Sequence, residues 1–127
     1  MALVIDLKAG ERVVIGQALI TNDGPRTRLR IAGSAPILRE KDFLAPDEAV
    51  SPCQKLYMLV QAMYLDPAPQ RLHGEYFDLQ RVIQRAAPSM VPRLLEINQK
   101  IIAGSYYKAL KDVKKLIDHE QRLISHA

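Results

Sequence analysis

Arg26, Arg28 and Arg30 stand at alternate positions in the stretch RTRLRI, and Arg39 and Lys41 repeat that two-residue spacing in ILREK. On an extended chain alternate side chains share a face. Arg28 and Arg30 therefore project to one side of a strand, and Leu29 and Ile31 to the other. Arg39 and Lys41 sit at matching parity in the next segment, so neighbouring strands would gather these cations into one patch. A guanidinium is planar, permanently charged and presents forked donors that match phosphate oxygens and base edges. A flat cationic sheet face suits single-stranded RNA better than a DNA major groove, for which the chain shows no recognition-helix pattern. Arginines on an exposed strand also serve a plainer purpose, keeping an edge soluble and unpaired. No aromatic residue is interleaved among them, so the usual base-stacking platform is missing. Tyr57, Tyr64, Tyr76, Tyr106 and Tyr107 all fall after residue 50, in the half that reads as helical, at spacings that suit core or interface.

Other reactive residues point to no chemistry. Lys108, Lys111, Lys114 and Lys115 are interspersed with Asp112 and Asp118, and the i,i+3 and i,i+4 pairs this creates describe a solvated helix face. His73, His119 and His126 read as surface residues, because helical metal pairs sit three or four apart and no third ligand group is evident. Asp118-His119-Glu120 puts acids beside a histidine, but adjacent helical positions point in different directions. No H-E-x-x-H, Walker loop, G-x-G-x-x-G or G-x-S-x-G occurs. The chain is therefore expected to be no enzyme and to need no metal or cofactor. Cys53 follows Ser51-Pro52 at an expected helix start, where a thiol pKa can fall, although a small filler side chain is the reading preferred. A single thiol permits no internal disulfide, which suits a reducing cytoplasm.

The elements that would position the arginines follow from periodicity. The 127 residues suggest one domain or one domain with a sub-module, and 48% hydrophobic with 25% charged residues suits a globular chain. The formal charge of +4 attracts polyanions in general. MALVIDLKAGERVV lacks a leading basic region and Asp6 and Lys8 interrupt it, so no signal peptide is expected. No apolar run reaches the roughly 18 residues of a membrane span. Leu3, Ile5 and Leu7 alternate with Val4 and Asp6 as one strand; Ala9-Gly10-Glu11 turns the chain. A second strand begins at Arg12, with Gly16 as a bulge and a continuation through Ala18, Leu19 and Ile20. Asn22-Asp23-Gly24-Pro25 is a concentrated turn signal before the arginine strand, and residues 37–41 read as a last short strand.

From about residue 50 the grammar becomes helical. Ser51, Pro52 and Gln54 form a capping box with proline at the first helical position. Leu56, Leu59, Val60 and Met63 share a face, and Asp66-Pro67 ends that helix. A second helix is predicted over residues 70–87 and stopped by Pro88, and a third is predicted to be capped by Ser89. Gly104 either breaks the chain or kinks one long helix. The last stripe is Tyr106, Leu110, Val113, Ile117 and Ile124. The expected fold is thus α+β: a small antiparallel β module over residues 1–45, then a helical module of three to four helices over residues 46–127. A β unit of that size is insecure alone, so it should pack on the helices or pair with a second copy, which motivates a homodimer.

The stretches MALVIDLKAGERVVIGQALITN, RTRLRIAGSAPILREKDFL and, after Pro52, MYLD resemble the FlbT family of flagellin regulators in order and spacing over most of the chain. The resemblance implies a cytoplasmic protein that acts on the 5′ untranslated region of flagellin messenger RNA, altering its translation and stability. It implies repression or activation according to the member, with a FlaF-type flagellar regulator as an expected partner. GERVVIG, RLRIAGSAP and LREKD are also similar, more faintly, to the carbon storage regulators, small dimeric β proteins that bind messenger RNA. That match puts Arg39 on an RNA-contacting arginine, whereas Leu7 stands where that family has another, with Lys8 beside it. The residues proposed from the sequence to contact RNA are Arg26, Arg28, Arg30, Arg39 and Lys41. The alternative is an adaptor whose helices dock a flagellar protein and which affects RNA indirectly.

Overall fold

A computed structural model describes residues 2–125. The chain divides into two compact units, one ending at Phe43 and the other beginning at Leu44. Strands come first and helices follow, an α+β order.

The first unit holds β1 (Ala2–Leu7), β2 (Arg12–Ile15), β3 (Ala18–Thr21), β4 (Thr27–Ala32) and β5 (Ile37–Arg39). β1 pairs antiparallel with β4, and β2 lies between β3 and β5 in a separate three-stranded antiparallel sheet. The period-two pattern accounts for the packing. Ile5, Leu7 and Val13 form a small buried cluster, and Ile15, Leu29, Ile31 and Ile37 pack against it from both sheets. Burying such side chains contributes roughly 1.5–3 kcal/mol each, so a cluster this small supplies little.

Gly16 is not a bulge, and the second strand does not run on through Ile20. The chain reverses over Gly16-Gln17, so Ile15 pairs with Ala18. Gly16 has φ +60° and no other residue type among those described has positive φ, which makes this the two-residue turn with glycine first whose twist suits a hairpin. Asn22 holds the next corner. Its Nδ2 lies 3.1 Å from the carbonyl oxygens of Leu7, Lys8 and Pro25, while its Oδ1 accepts the Gly24 N–H at 3.0 Å. The last strand is also shorter than expected: Glu40–Asp42 form a 3-10 turn, tied back to β2 by Arg12 Nε donating to Glu40 Oε1 at 2.8 Å.

The second unit holds α1 (Pro52–Leu65), α2 (His73–Ala86), α3 (Val91–Ile102) and α4 (Tyr106–Ser125). Leu56, Val60, Met63, Tyr76, Leu94, Ile97, Ile101, Leu110, Val113 and Leu116 form the buried stripes. α1 begins as its sequence demands: Ser51 Oγ accepts the Gln54 N–H at 3.2 Å and Gln54 Oε1 accepts the Ser51 N–H at 3.0 Å. Two starts differ from expectation. The second helix is preceded by a 3-10 turn over Pro69–Leu72, with proline at the start, where its missing N–H has no helical acceptor to lose. Ser89 does not cap the third; it lies within the 3-10 turn Pro88–Met90, and its Oγ approaches His119 Nε2 at 3.4 Å. Gly104 ends α3 outright. At φ +77° it lets Ser105 N–H reach Lys100 O at 2.8 Å while its own N–H donates to Ile101 O at 3.1 Å, the paired bonds of a Schellman motif. In α4 the core side is carried by Leu116 and not Ile117, and Ile124 is 59% exposed, so the final stripe rotates away from the one its spacing suggested.

Buried polar groups in this unit are satisfied. Tyr76 OH donates to Asn98 Oδ1 at 2.7 Å and Asn98 Nδ2 donates to Gln80 Oε1 at 3.2 Å. Gln61 exchanges two bonds with the Leu44 backbone, at 2.8 and 2.9 Å. Glu120 reaches the start of α1, accepting from Ser51 Oγ and from the Cys53 N–H at 3.1 Å. A carboxylate there supplements the cap and faces the positive end of the helix dipole.

Candidate nucleic-acid interface

β1 and β4 set the geometry of the arginine face. Their register places Asp6 opposite Arg28, and Val4 opposite Arg30. Leu29 and Ile31 turn toward the small core, so Arg28 and Arg30 turn away from it and are exposed. Arg26 belongs to the turn before β4. Asp6 serves two of the three: Arg28 Nε lies 3.6 Å from its Oδ1, and Arg26 lies 4.0 Å from its Oδ2. Both contacts are long and solvent-exposed, and such pairs hold little energy. One carboxylate beside two guanidinium groups leaves a net positive charge. Arg30 has no ion pair among the described residues, and its cross-strand neighbour Val4 is itself 45% exposed. Ala2 and Ala32 extend this side of the pair. On this side of the pair small or apolar side chains, Ala2, Val4 and Ala32, lie beside the cations.

Arg39 and Lys41 are not gathered onto that strip by strand pairing. β4 hydrogen-bonds to β1 and β5 to β2, so the arginine strand and the LREK segment lie in different sheets. The crossing runs through Gly33, at φ +121°, a conformation for which glycine is suited. Arg39 pairs with Val13, which puts it at the exposed end of the side that Ile37 turns to the core, whereas Arg28 and Arg30 lie on the outer side of the other sheet. Lys41 sits in the 3-10 turn after β5. Sequence parity relates residues within a strand and between paired strands only, which is why a single patch did not follow from it. Arg12 was not singled out from the sequence, yet it is 43% exposed by side chain beside Glu40. Its hydrogen bond holds the Glu40 carboxyl below the ordinary carboxylate range.

The helical unit carries other surfaces. A cleft of about 350 Å3 between α3 and α4 is lined by Arg93, Glu96, Asp112, Lys115, Asp118 and Arg122. Its three cations face three acids, so it offers no net attraction to a polyanion. Asp112 pairs with Lys100 of α3, a partner its own helix's spacing did not suggest. Lys111 lies 5.1 Å over the Tyr107 ring, and Tyr107 stands 5.5 Å from Tyr64. A groove of about 320 Å3 is almost wholly apolar and is lined by Pro52, Val82, Ala86, Met90, Leu123 and Ile124 among others. Val82 and Leu123 fall off the stripes read from the sequence, and only the convergence of α2 with α4 exposes them together.

The reactive residues are accounted for structurally. Cys53 is fully buried, and burial together with the nearby Glu120 charge pushes its thiol well above the ordinary range. That disposes of a reactive cysteine at this helix start, because the thiolate is the nucleophile. His73 is half-buried and its Nε2 lies 2.9 Å from Tyr106 OH, so it is no bare surface residue. His119 is also half-buried, and His126 lies outside the described residues. No group of three or more His, Cys, Asp or Glu among the described residues is arranged to hold a metal. No helix among them is long and apolar enough to cross a membrane.

Comparison with known proteins extends over the same length. The profile of a family described as "Flagellar protein FlbT" matches residues 3–124. The chain is 48% identical over 124 residues to the probable flagellum biosynthesis repressor protein FlbT 1 of Bradyrhizobium diazoefficiens, covering 97% of this chain and 85% of that protein. It is 41% identical over 128 residues to the corresponding Rhodopseudomonas palustris protein, covering 98% and 99%. It is 32% identical over 131 residues to the flagellum biosynthesis repressor protein FlbT of Caulobacter vibrioides, covering 99% and 92%. No solved structure matches the chain.

Proposed function

The chain belongs to the FlbT family of flagellar proteins, and from that premise we propose that it regulates flagellin synthesis after transcription. In this reading it binds the 5′ untranslated region of flagellin messenger RNA in the cytoplasm, and it represses by blocking ribosome access or by exposing the message to decay. The observation that carries it is the exposed strip on β4, where Arg30 has no acid among its cross-strand partners and Arg28 and Arg26 share a single one. Arg28 and Arg30 contact phosphates and base edges, and Arg26 extends the track at the turn. Arg39 and Lys41 supply a second point of contact on the neighbouring sheet. The names of the relatives support a regulator of flagellum biosynthesis and not a catalyst.

The test is binding to a flagellin leader RNA across a salt series, beside a scrambled RNA of equal length. Single-strand affinity falls with a log–log slope of about 0.7 per phosphate contacted. Leader-selective binding is expected, with a shallower slope after Arg28→Gln and Arg30→Gln and weaker binding after Arg39→Ala. Equal, weak binding to both RNAs would move the function to the second reading.

That second reading is a flagellar adaptor, favoured by the apolar groove of Val82, Leu123 and Ile124. Its occupant would be an amphipathic helix of a FlaF-type regulator, and any effect on RNA would be indirect. Capture of that partner surviving high salt and nuclease, and lost in Leu123→Asp, supports the adaptor.

A further inference from the structure

We propose that β3 is the contact through which two copies of this chain associate, forming a continuous antiparallel sheet across a two-fold axis at Ile20. The inference does not depend on RNA binding.

β3 reads Ala-Leu-Ile-Thr and is exposed along its whole length. Among the described residues its one strand partner is β2, so its outer edge carries backbone groups that no strand of this chain pairs. Natural edges of this kind are blunted by charges, proline or bulges. β3 has none of these. It also places apolar side chains on both faces at the edge, Leu19 at 53% and Ile20 at 36% exposure. An uncharged apolar edge with free donors and acceptors is a template for another strand.

The hydrogen-bond pattern says how that strand must lie. Asn22 N–H donates to Glu11 O at 3.0 Å and Asn22 O accepts the Gly10 N–H at 2.7 Å, so both backbone groups of Asn22 point at the chain leading into β2. Bonded pairs recur every second residue in an antiparallel ladder, so Ile20 and Ala18 point their backbone groups at β2. Leu19 and Thr21 therefore point theirs outward. The other side of β2 agrees: Gly16 N–H donates to Pro36 O at 2.8 Å, which directs Val14 to β5 and leaves Val13 and Ile15 for β3.

A second copy can satisfy these groups reciprocally. Antiparallel pairing of Leu19 with Thr21 of the second copy, and Thr21 with its Leu19, brings two outward-facing residues together at each step. Ile20 then faces Ile20 across the axis as a non-bonded pair, the closer kind, with Cα atoms about 4.5 Å apart. A register shifted by one residue would set outward groups against inward ones. A register shifted the other way by two would require Gln17, which belongs to the hairpin turn. In the proposed register Asp23 lies opposite Gln17 and Asn22 opposite Ala18, so no like charges meet. The occupant is favoured on burial as well. Ile20 pairs with Val13, a member of the small core, so joining two edges widens the apolar layer centred on Ile5, Leu7 and Val13 in each copy.

The test uses the full chain. Light scattering coupled to gel filtration, over a concentration series, is expected to give twice the 14.3 kDa chain mass. Ile20→Lys sets two ammonium groups against each other at the axis, and Thr21→Pro removes an outward donor without touching the bonds to β2. Both are expected to be monomeric with unchanged circular dichroism. Cysteine placement reads the register independently of folding losses. Ile20→Cys is expected to give an oxidised dimer on non-reducing gels, because the separation suits a disulfide, whereas Leu19→Cys is expected to give none; the native Cys53 is buried and stays out of the reaction. A monomeric wild type at every concentration overturns the proposal. So does a dimer that survives both substitutions, as does equal cross-linking at positions 19 and 20.

Discussion

Residues up to Phe43 bury few apolar side chains, Ile5, Leu7, Val13, Val14 and Leu38, whereas the helices from Pro52 onward bury stripes from four elements and enclose Tyr76, Leu94, Ile97, Leu110 and Leu116. Polar groups diverge in the same way. In the helical unit Glu120, Gln61 and Gln80 are buried and bonded. In the β unit the charged groups named for RNA binding lie on exposed strands and turns, and Asp6 meets its arginines only at long range. The contrast teaches where each unit's residues are committed. Helical side chains are constrained by packing, so changing them costs stability. The arginines of β4 are constrained by almost nothing in the fold, so their placement is open to be explained by a ligand.

The sharpest way to break that comparison is to remove volume from the helical unit. Leu110→Ala leaves a cavity in a fully buried stripe and is expected to destabilise by about 2–5 kcal/mol in a denaturant titration. A loss below 1 kcal/mol would mean that the helical core is not the stabilising part of the chain. Next in size is Glu120→Gln, which takes charge from the acceptor of Ser51 Oγ and the Cys53 N–H, for an expected loss of about 1–3 kcal/mol.

The β strip should behave oppositely. Arg28→Gln with Arg30→Gln is expected to alter stability by no more than about 0.5 kcal/mol, as surface substitutions do, while RNA affinity falls. A melting temperature that drops with affinity would show those arginines to be structural. Smaller still is the effect of pH on the β unit. Glu40 has a folded pKa lowered by Arg12, so its contribution is present above the ordinary carboxylate value of about 4.3 and is lost as pH falls through the folded value. The melting temperature of Arg12→Ala should depend less on pH across that acid range than the wild type's. Cys53 sharpens the contrast from the helical side: its thiol should resist a disulfide reagent in the native protein and react once the chain is unfolded.

Much of this was legible in residue order. Alternation in LVIDL and TRLRI specified strands and their faces, and Ser51-Pro52-Cys53-Gln54 specified a helix start that the structure repeats bond for bond. These are local devices, in which the partner lies within about four residues and the physics is contained in the spacing. The strip of Arg28 and Arg30 was legible for the same reason. Its completion by Arg39 and Lys41 was not, because it depended on which strands pair. Gly16 was ambiguous for a related cause: a glycine inside an apolar run serves a bulge or a turn equally well until the partner of Ile15 is known. Ile117 and Ile124 were placed in the core by spacing alone, and the helices packed against α4 exposed Ile124 instead.

By itself, then, the sequence determined the change from a β grammar to a helical one, the boundaries set by Pro52 and Pro67 or their neighbours, and the sidedness of the arginine strand. Each follows from backbone stereochemistry and the periods of two and 3.6 residues. Only the tertiary structure decided that the strands split into two sheets, that Glu120 caps a helix whose backbone donor, Cys53, lies 67 positions earlier in the chain, and that β3 keeps a bare edge among the described residues. Those outcomes depend on which distant surfaces bury each other best, a competition among non-local contacts that no window of neighbouring residues contains.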